Sequence, residues 1–347
     1  MTDTPVFIPS DDTEGQRQVD ALLLREGIRR DPHLDYTCGI FSDDWDLIAT
    51  GSFYGPTLRC LAVADEHRGE GLLNRVISHL AEVQAARGNL HLFLYTKCVN
   101  EPIFQNLGFH TIARVGREAA FMENRRRGFE GYLNRLARKA LPGDRVSAIV
   151  MNANPFTLGH RNLVEQAAAQ SDAVHLFVLS EEAGPIPFSV RRALVQAGVA
   201  DLPNVQVHDS GPYMISSATF PSYFLPDSDT AIRVHAELDL TLFGRIASAL
   251  NIRRRYVGQE PASRVTALYN RIMLEKLPAM GVECCEIPRL TIDGRPVSAS
   301  TVRQAIHADR PEDARPLLPE STWRYFRSAE AAPVIAAIRS SENVIHY

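Results

Sequence analysis

A chain of 347 residues, 45% of them apolar, is long enough for two domains of ordinary size, and no apolar run approaches membrane-spanning length. Lys and Arg total 37 against 41 Asp and Glu, a net charge of -4, which gives no electrostatic case for a general nucleic-acid binder. The five cysteines, Cys38, Cys60, Cys98, Cys284 and Cys285, are odd in number and form no C-x-x-C pair. They read as reduced thiols of a cytoplasmic protein, without a zinc site, because neighbours such as Cys284 and Cys285 face opposite sides of a strand. Met1-Thr-Asp-Thr-Pro5 has no basic segment followed by an apolar one, so no signal peptide is expected.

Residues 1 to about 18 are polar and read as loop or a short strand. Val19, Leu22, Leu23, Leu24 and Ile28 form a helical stripe. Thr37 to Phe41 and Leu47 to Phe53 read as a hairpin around Ser42 to Asp46, and Leu58 to Ala64 as a further strand. A turn from Asp65 feeds a helix to about Arg87. Strand Leu90 to Tyr95, helix Pro102 to Leu107 and strand Thr111 to Val115 follow. This order resembles the acetyltransferase domain of the GNAT superfamily. Arg68-Gly-Glu-Gly71 is similar to its R-x-x-G-x-G/A pyrophosphate loop, and Ile103 to Phe109 to its F/Y-x-x-x-G-F helix end. Backbone amides at such a helix start cradle phosphates. The last small residue of the loop is replaced by Leu73, whose bulk crowds a pyrophosphate. Glu66 and Tyr95 are candidate catalytic groups, but no convincing pair stands out. An active transferase and a binding or docking module both stay open.

From Glu118 to about Leu141 the chain is basic, with Arg125-Arg126-Arg127, Arg135, Arg138 and Lys139, and carries an apolar face of Tyr132, Leu133 and Leu136. It reads as a linker helix, either solvated or offering a face to an acidic partner. Pro142-Gly143-Asp144 is the boundary turn.

The second half opens on an apolar run, Val146 to Met151, of the kind that makes a buried parallel strand. Pro155 stops it, and Leu163, Val164 and Ala167 mark a helix from Leu158 or Gly159. Strand, tight turn and helix point free backbone N–H groups at an anion. Thr157 and His160 share one face of that helix start, and Gly159 between them permits close approach. The plainer alternative is a capping Thr and a surface His. Strand Val174 to Leu179 ends at Ser180-Glu181-Glu182, and helix Phe188 to Val195 starts with Arg191 and Arg192. Arg191 is the better candidate of the two to reach phosphates, a solvent-facing pair being the alternative. Val205 to His208 is a strand. Gly211 to Leu225, aromatic, hydroxyl-rich and poor in charge, suits a small-substrate pocket or an ordinary loop. Val234 to Asp239 carries acids beside a helix from Leu240 to Leu250. Strand Arg255 to Glu260 (through Gly258), helix Val265 to Leu277 and strand Cys284 to Ile287 follow. Ser298 and Ser300 can cap the next helix and donate to phosphate, and Arg303, one turn in, is a forked donor. The tail holds a helix at Trp323 to Phe326, and residues 328 to 347 read as a loosely held helix.

Thr157-Leu-Gly-His160 resembles the T/H-x-G-H signature of the nucleotidylyltransferase superfamily, and Val297 to Arg303 its I-S-S-T-x-x-R motif. Ala299 replaces the middle serine, and Thr301 stands where many members have lysine. Arg303 is thereby expected to carry more of the phosphate stabilisation. The resemblance implies His160, Thr157 and Arg303 as catalytic residues. It implies Asn152, Ala153, Asn154, Phe156, Gly159, Arg191, Gly258, Gln259, Glu260, Ser298, Ser300 and Thr301 around the nucleotide. The expected fold class is α/β: a GNAT-like mixed α/β domain, then a Rossmann-like (HUP-type) nucleotidylyltransferase domain with a parallel sheet. Expected boundaries are 1–118, a basic helical linker at 119–144, 145–328, and a C-terminal tail at 329–347.

The combination resembles the citrate (pro-3S)-lyase ligase family. The most specific pieces are Met151 to His160, Ala218 to Phe224, Val257 to Pro261 with Arg264 to Ala267, and Val297 to Arg303. The resemblance implies that ATP and acetate give acetyl-adenylate and pyrophosphate, with Mg²⁺ bridging the phosphates. The acetyl group then passes to the thiol of a dephospho-CoA-type prosthetic group on the acyl-carrier subunit of citrate lyase, which activates the lyase. Neither nucleic acid nor membrane is an expected partner, and the expected location is cytoplasmic. One alternative is an adenylyltransferase joining AMP to a phosphorylated small molecule, against which the segment Tyr213 to Phe224 is poor in Lys and Arg. Another is a bifunctional protein with an active acetyl-CoA-dependent N-terminal half.

Overall fold

The computed structural model describes residues 4–182, 184–214, 216, 220–260 and 264–341. They form two compact units, Met1–Phe129 with Thr219–Leu238, and Glu130–Ala218 with Asp239–Tyr347.

The first unit contains β1 (Val6–Phe7), α1 (Thr13–Arg25), β2 (Tyr36–Phe41), β3 (Leu47–Tyr54), β4 (Thr57–Val63), α2 (Leu72–Ala86), β5 (Phe93–Thr96), α3 (Glu101–Asn106), β6 (His110–Val115) and β7 (Ala119–Glu123). The sheet order is β1-β2-β3-β4-β5-β7-β6. Every neighbouring pair is antiparallel except β4 and β5, which are parallel and pair at Thr57–Phe93 and Leu58–Leu94 before parting. This is the expected mixed α/β sheet. Strand β7 falls where the sequence reading begins a connector. All five of its residues are buried between β5 and β6, so no polar alternation marks it as a strand.

Helix α2 packs Leu72, Val76 and Leu80 on Ile40, Phe53 and Leu94, and Leu73 packs on the same core rather than crowding the loop before it. Gly69 and Gly71 in that loop sit at φ +93° and +77°, where a side chain is strained. Glu66 is exposed. Tyr95, just past the fork between β4 and β5, stacks on Phe121 (4.4 Å) and meets Phe220 edge-on (5.5 Å). Both contacts are made by the ring. Arg29 holds the Ser222 and Leu225 carbonyls (3.0 and 2.9 Å), so residues 220–225 pack as part of the first unit. Ala218 and Thr219, part of the expected pocket motif, lie outside the described residues, as does Pro261.

The second unit comprises α4 (Gly128–Ala137, entered from the first), β8 (Val146–Met151), α5 (Leu158–Gln170), β9 (Ala173–Val178), α6 (Phe188–Gly198), β10 (Val205–Asp209), the end of α7 (Ser228–Ala249), β11 (Arg254–Gly258), α8 (Arg264–Lys276), β12 (Glu283–Ile287), a small hairpin β13–β14 (Thr291–Ile292 and Arg295–Pro296), α9 (Ala299–His307), α10 (Glu320–Phe326) and α11 (Ala332–Ser340). The main sheet is wholly parallel in the order β10-β9-β8-β11-β12. Counting within the unit, that is 3-2-1-4-5, the doubly wound Rossmann-like arrangement. Helix α7 is continuous where the sequence reading placed acids beside a shorter helix. Its Asp239 is buried and accepts from the Tyr269 hydroxyl. The described part of the tail is firmly packed through α11. Val334 and Ile338 of α11 are buried with Val302, Ile306 and Phe326, and His307 Nδ1 donates to the Ile338 carbonyl (3.0 Å). Among the described residues no helix is long and apolar enough to cross a membrane.

His175 and His208 on neighbouring strands share a buried hydrogen bond (2.8 Å, Nδ1 to Nε2). Burial pushes His175 down to about 4; burial, then the charges of His175 and Lys139, push His208 to about 3. Both rings stay neutral in the fold, while in the unfolded chain they take up protons near pH 6.5. Lowered pKa values therefore add stability that is complete above about pH 6.5 and is lost as pH falls towards about 4. The urea midpoint of the second unit is expected to drop between pH 7 and pH 4.5; a constant midpoint would contradict the pairing.

Candidate active site

The crevice follows from strand register. Strands β8 and β9 stay paired to Met151–Val178, but β8 and β11 pair only from Arg254–Ser147 to Tyr256–Ile149. The sheet thus opens at the carboxyl ends of β8 and β11, between the first and fourth strands, where the strand order reverses. Open α/β sheets bind ligands at this switch point.

Asn152 to Phe156 leave β8 into this opening. Ala153 is held at φ +52°, a left-handed conformation unfavourable to a residue with a Cβ. Arginines fix the carbonyls on either side of it. Arg191 Nη1 donates to the Asn152 carbonyl (2.8 Å), and Arg303 Nη1 donates to that of Asn154. Phe156 is fully buried, and Thr322 on α10 donates to its carbonyl (3.0 Å).

Thr157 is the N-cap of α5 and bonds reciprocally with His160. Its Oγ1 accepts the His160 N–H (3.4 Å), and His160 Nδ1 accepts the Thr157 N–H (3.1 Å). With Nδ1 an acceptor, the neutral ring carries its proton on Nε2, leaving one donor free for a ligand. Burial, then the charges of Arg289 and Arg303, lower this imidazole to about 4. A neutral N–H donor beside two cations and a helix N-terminus suits an anion.

The second motif meets the first. At Gly159 a Cβ would come within 3.2 Å of the Val297 carbonyl. The missing side chain therefore admits the protein's own chain just ahead of α9. Ser298 caps α9 by accepting the Thr301 N–H (3.1 Å), and its hydroxyl contacts those of Ser300 (2.9 Å) and Thr301 (2.7 Å). Gly258 at the end of β11 has open space where a Cβ would stand, and Gln259 N–H bonds to the Ile287 carbonyl (2.9 Å). Glu260 pairs with Arg289 (2.6 Å).

Arg191 is held otherwise than the resemblance implies. It is fully buried, and besides Asn152 it donates to the carbonyls of Ile186 (3.1 Å), Leu179 (2.9 Å) and Glu181. A guanidinium spent on four main-chain acceptors positions strand ends and does not reach phosphates. Arg192 pairs with Asp209. Arg289, whose charge acts on His160, was not singled out from sequence. Its signal was its place two residues past the carboxyl end of β12, on the ligand edge of the sheet.

A parallel 3-2-1-4-5 sheet, with a capped helix start and a second capped helix brought to its switch point, defines an α/β protein of nucleotidylyltransferase type. The family model described as the citrate lyase ligase C-terminal domain matches residues 146–326. Citrate (pro-3S)-lyase ligase of Escherichia coli K12 is 39% identical over 307 residues, 86% of this chain and 87% of that one. The enzyme of that name from Klebsiella pneumoniae is 40% identical over 285 residues (81% and 83%), and that from Haemophilus influenzae 33% over 315 (89% and 94%). The chain belongs to the citrate lyase ligase family and is an enzyme.

Arg191→Met removes the donors of four carbonyls, one buried and three part-buried, and is expected to lower unfolding stability by about 2–3 kcal/mol. Arg191→Lys, with three donors in place of a fork, should recover only part of that. Parent-like denaturant midpoints for both variants would remove the positioning role. Gly159→Ala should displace Val297 and depress nucleotide-dependent activity more than stability, read as kcat against Tm.

Proposed function

We propose that the enzyme acetylates the prosthetic-group thiol of the citrate lyase acyl-carrier subunit through acetyl-adenylate, at the expense of ATP. The observation that carries this reading is the meeting of the two motifs at the switch point, through Gly159 against Val297 and Arg303 on the Asn154 carbonyl. The shared name of the three curated relatives supports the lyase as the object of the reaction.

In the first half-reaction an acetate oxygen attacks the α-phosphorus, the bond to the β-phosphate oxygen breaks, and pyrophosphate leaves with the electron pair. His160 Nε2–H and the first amides of α5 donate to the phosphoryl oxygens as charge builds. The hydroxyls of Ser298, Ser300 and Thr301, the start of α9, and Arg303 receive the pyrophosphate. Asn152, Ala153, Asn154, Phe156 and Gly159 shape the nucleotide's path, and Gly258, Gln259 and Glu260 flank base and ribose. In the second half-reaction the thiol sulfur loses its proton to solvent and attacks the acetyl carbon, the C–O bond to the AMP phosphate breaks with its electron pair going to that phosphate, and a thioester and AMP result. The donor set at the crevice, neutral or cationic apart from the paired Glu260, fits a metal carried on phosphate oxygens. Mg²⁺ bound there would supply further charge neutralisation.

ATP–pyrophosphate exchange tests the reading. Exchange should depend on acetate; dependence on a phosphorylated acceptor instead would favour simple adenylyl transfer. His160→Ala should lower exchange by about two to four decades with the fold intact. Because the His160 ring is held near 4, its donor persists through mildly acidic pH. The His160-dependent part of the rate should stay level from pH 8 to about 5, whereas a decline centred at 6.5 would show an ordinary imidazole.

A further inference from the structure

Helix α4 ends in cations that no carboxylate answers. Arg135, Arg138 and Lys139 are exposed on its last turn and just beyond. Among the described residues none of the three is in an ion pair; Arg138 Nε donates to the Asn134 carbonyl (3.3 Å). Cations at a helix C-terminus complement its dipole, but that accounts for their sign and not for the space they surround. They line a cavity of about 370 Å³ whose walls include Tyr132, His208 and Asp209. The Tyr132 hydroxyl donates to the Asp209 carbonyl (3.2 Å), which fixes the wall. The Asp209 carboxylate is engaged by Arg192, so three positive charges face the cavity without compensation.

Strand register gives its place. Val178 pairs with Met151 on one side and with Asp209 on the other. Asp209, one wall of the cavity, therefore lies two strands, about 10 Å, from Met151, where the loop of the crevice begins. In a substrate with phosphates at one end and a thiol at the other, binding phosphates at that distance leaves the thiol end free for the crevice.

We propose that this cavity binds the diphosphate of the second substrate, an organic pyrophosphate of the dephospho-coenzyme A kind, through Arg135, Arg138 and Lys139. The inference rests on the function proposed above and supplies the phosphate contacts that the charge-poor segment after Tyr213 lacks. Multiple cations on one diphosphate give charge-assisted hydrogen bonds that weaken as salt rises.

Equilibrium titration of the full chain tests it, with dephospho-CoA, 4′-phosphopantetheine, pantetheine and ATP as probes. In the triple variant Arg135→Gln, Arg138→Gln, Lys139→Gln the Kd for dephospho-CoA should rise about tenfold or more. The Kd values for pantetheine and ATP should not move, and Arg138→Lys alone should retain most of the binding. An unmoved Tm shows that the variant is folded. The proposal is overturned if the dephospho-CoA Kd is unchanged, or if ATP affinity falls in step, which would assign the cations to the nucleotide. Equal affinity for 4′-phosphopantetheine would overturn the diphosphate assignment in favour of a phosphate monoester. Acetate-dependent exchange, measured separately, decides the parent reading, so the two failures are distinguishable.

Discussion

The site rests on a left-handed residue held from both sides. Ala153 at φ +52° turns the chain out of β8, a conformation that costs an L residue about 1–2 kcal/mol. Buried guanidiniums from α6 and α9 hold the carbonyls before and after it. With that turn fixed, Asn154 to Phe156 pack beneath it and Thr157 arrives as the cap of α5. Because Arg303 comes from the motif that also presents Ser298 and Ser300, the constraint that shapes the first motif also brings the second to it. Binding chemistry and local architecture share the same residues here.

Electrostatics follows from this packing. His160 is neutral because its half-buried ring is desolvated and lies near Arg289 and Arg303, and its proton is on Nε2 because Nδ1 accepts from Thr157. The ring therefore contributes a directed dipole rather than a charge. The positive charge comes from arginines already anchored to carbonyls or carboxylates, which limits reorganisation when an anion enters.

Much of this was legible in the sequence where the signal is local. The apolar run Val146 to Met151 and the capping pair Thr157 and His160 mark a strand and a helix start without help from distant residues. Legibility failed where a residue's partner is remote. Arg191 announces a cation, but its acceptors on Asn152, Leu179, Glu181 and Ile186 appear only on folding. Gly159 reads in sequence as room for a nucleotide, and only the fold shows that the Val297 carbonyl also stands beside it. Arg289 follows a short strand and has no motif around it. Strand β7 is buried on both faces and abuts an arginine run, so alternation could not reveal it. The acids of α7 looked like a helix boundary until Asp239 met Tyr269 and Arg255.

The central claim is that a neutral His160 offers Nε2–H to the nucleotide phosphates, and nitrogen NMR of the imidazole tests it most directly. The account predicts an Nε2-protonated ring titrating near 4, with the Nε2 resonance shifting when ATP is added and the Nδ1 resonance staying in place. A ring that titrates near 6.5 in the ordinary way and ignores ATP would contradict it.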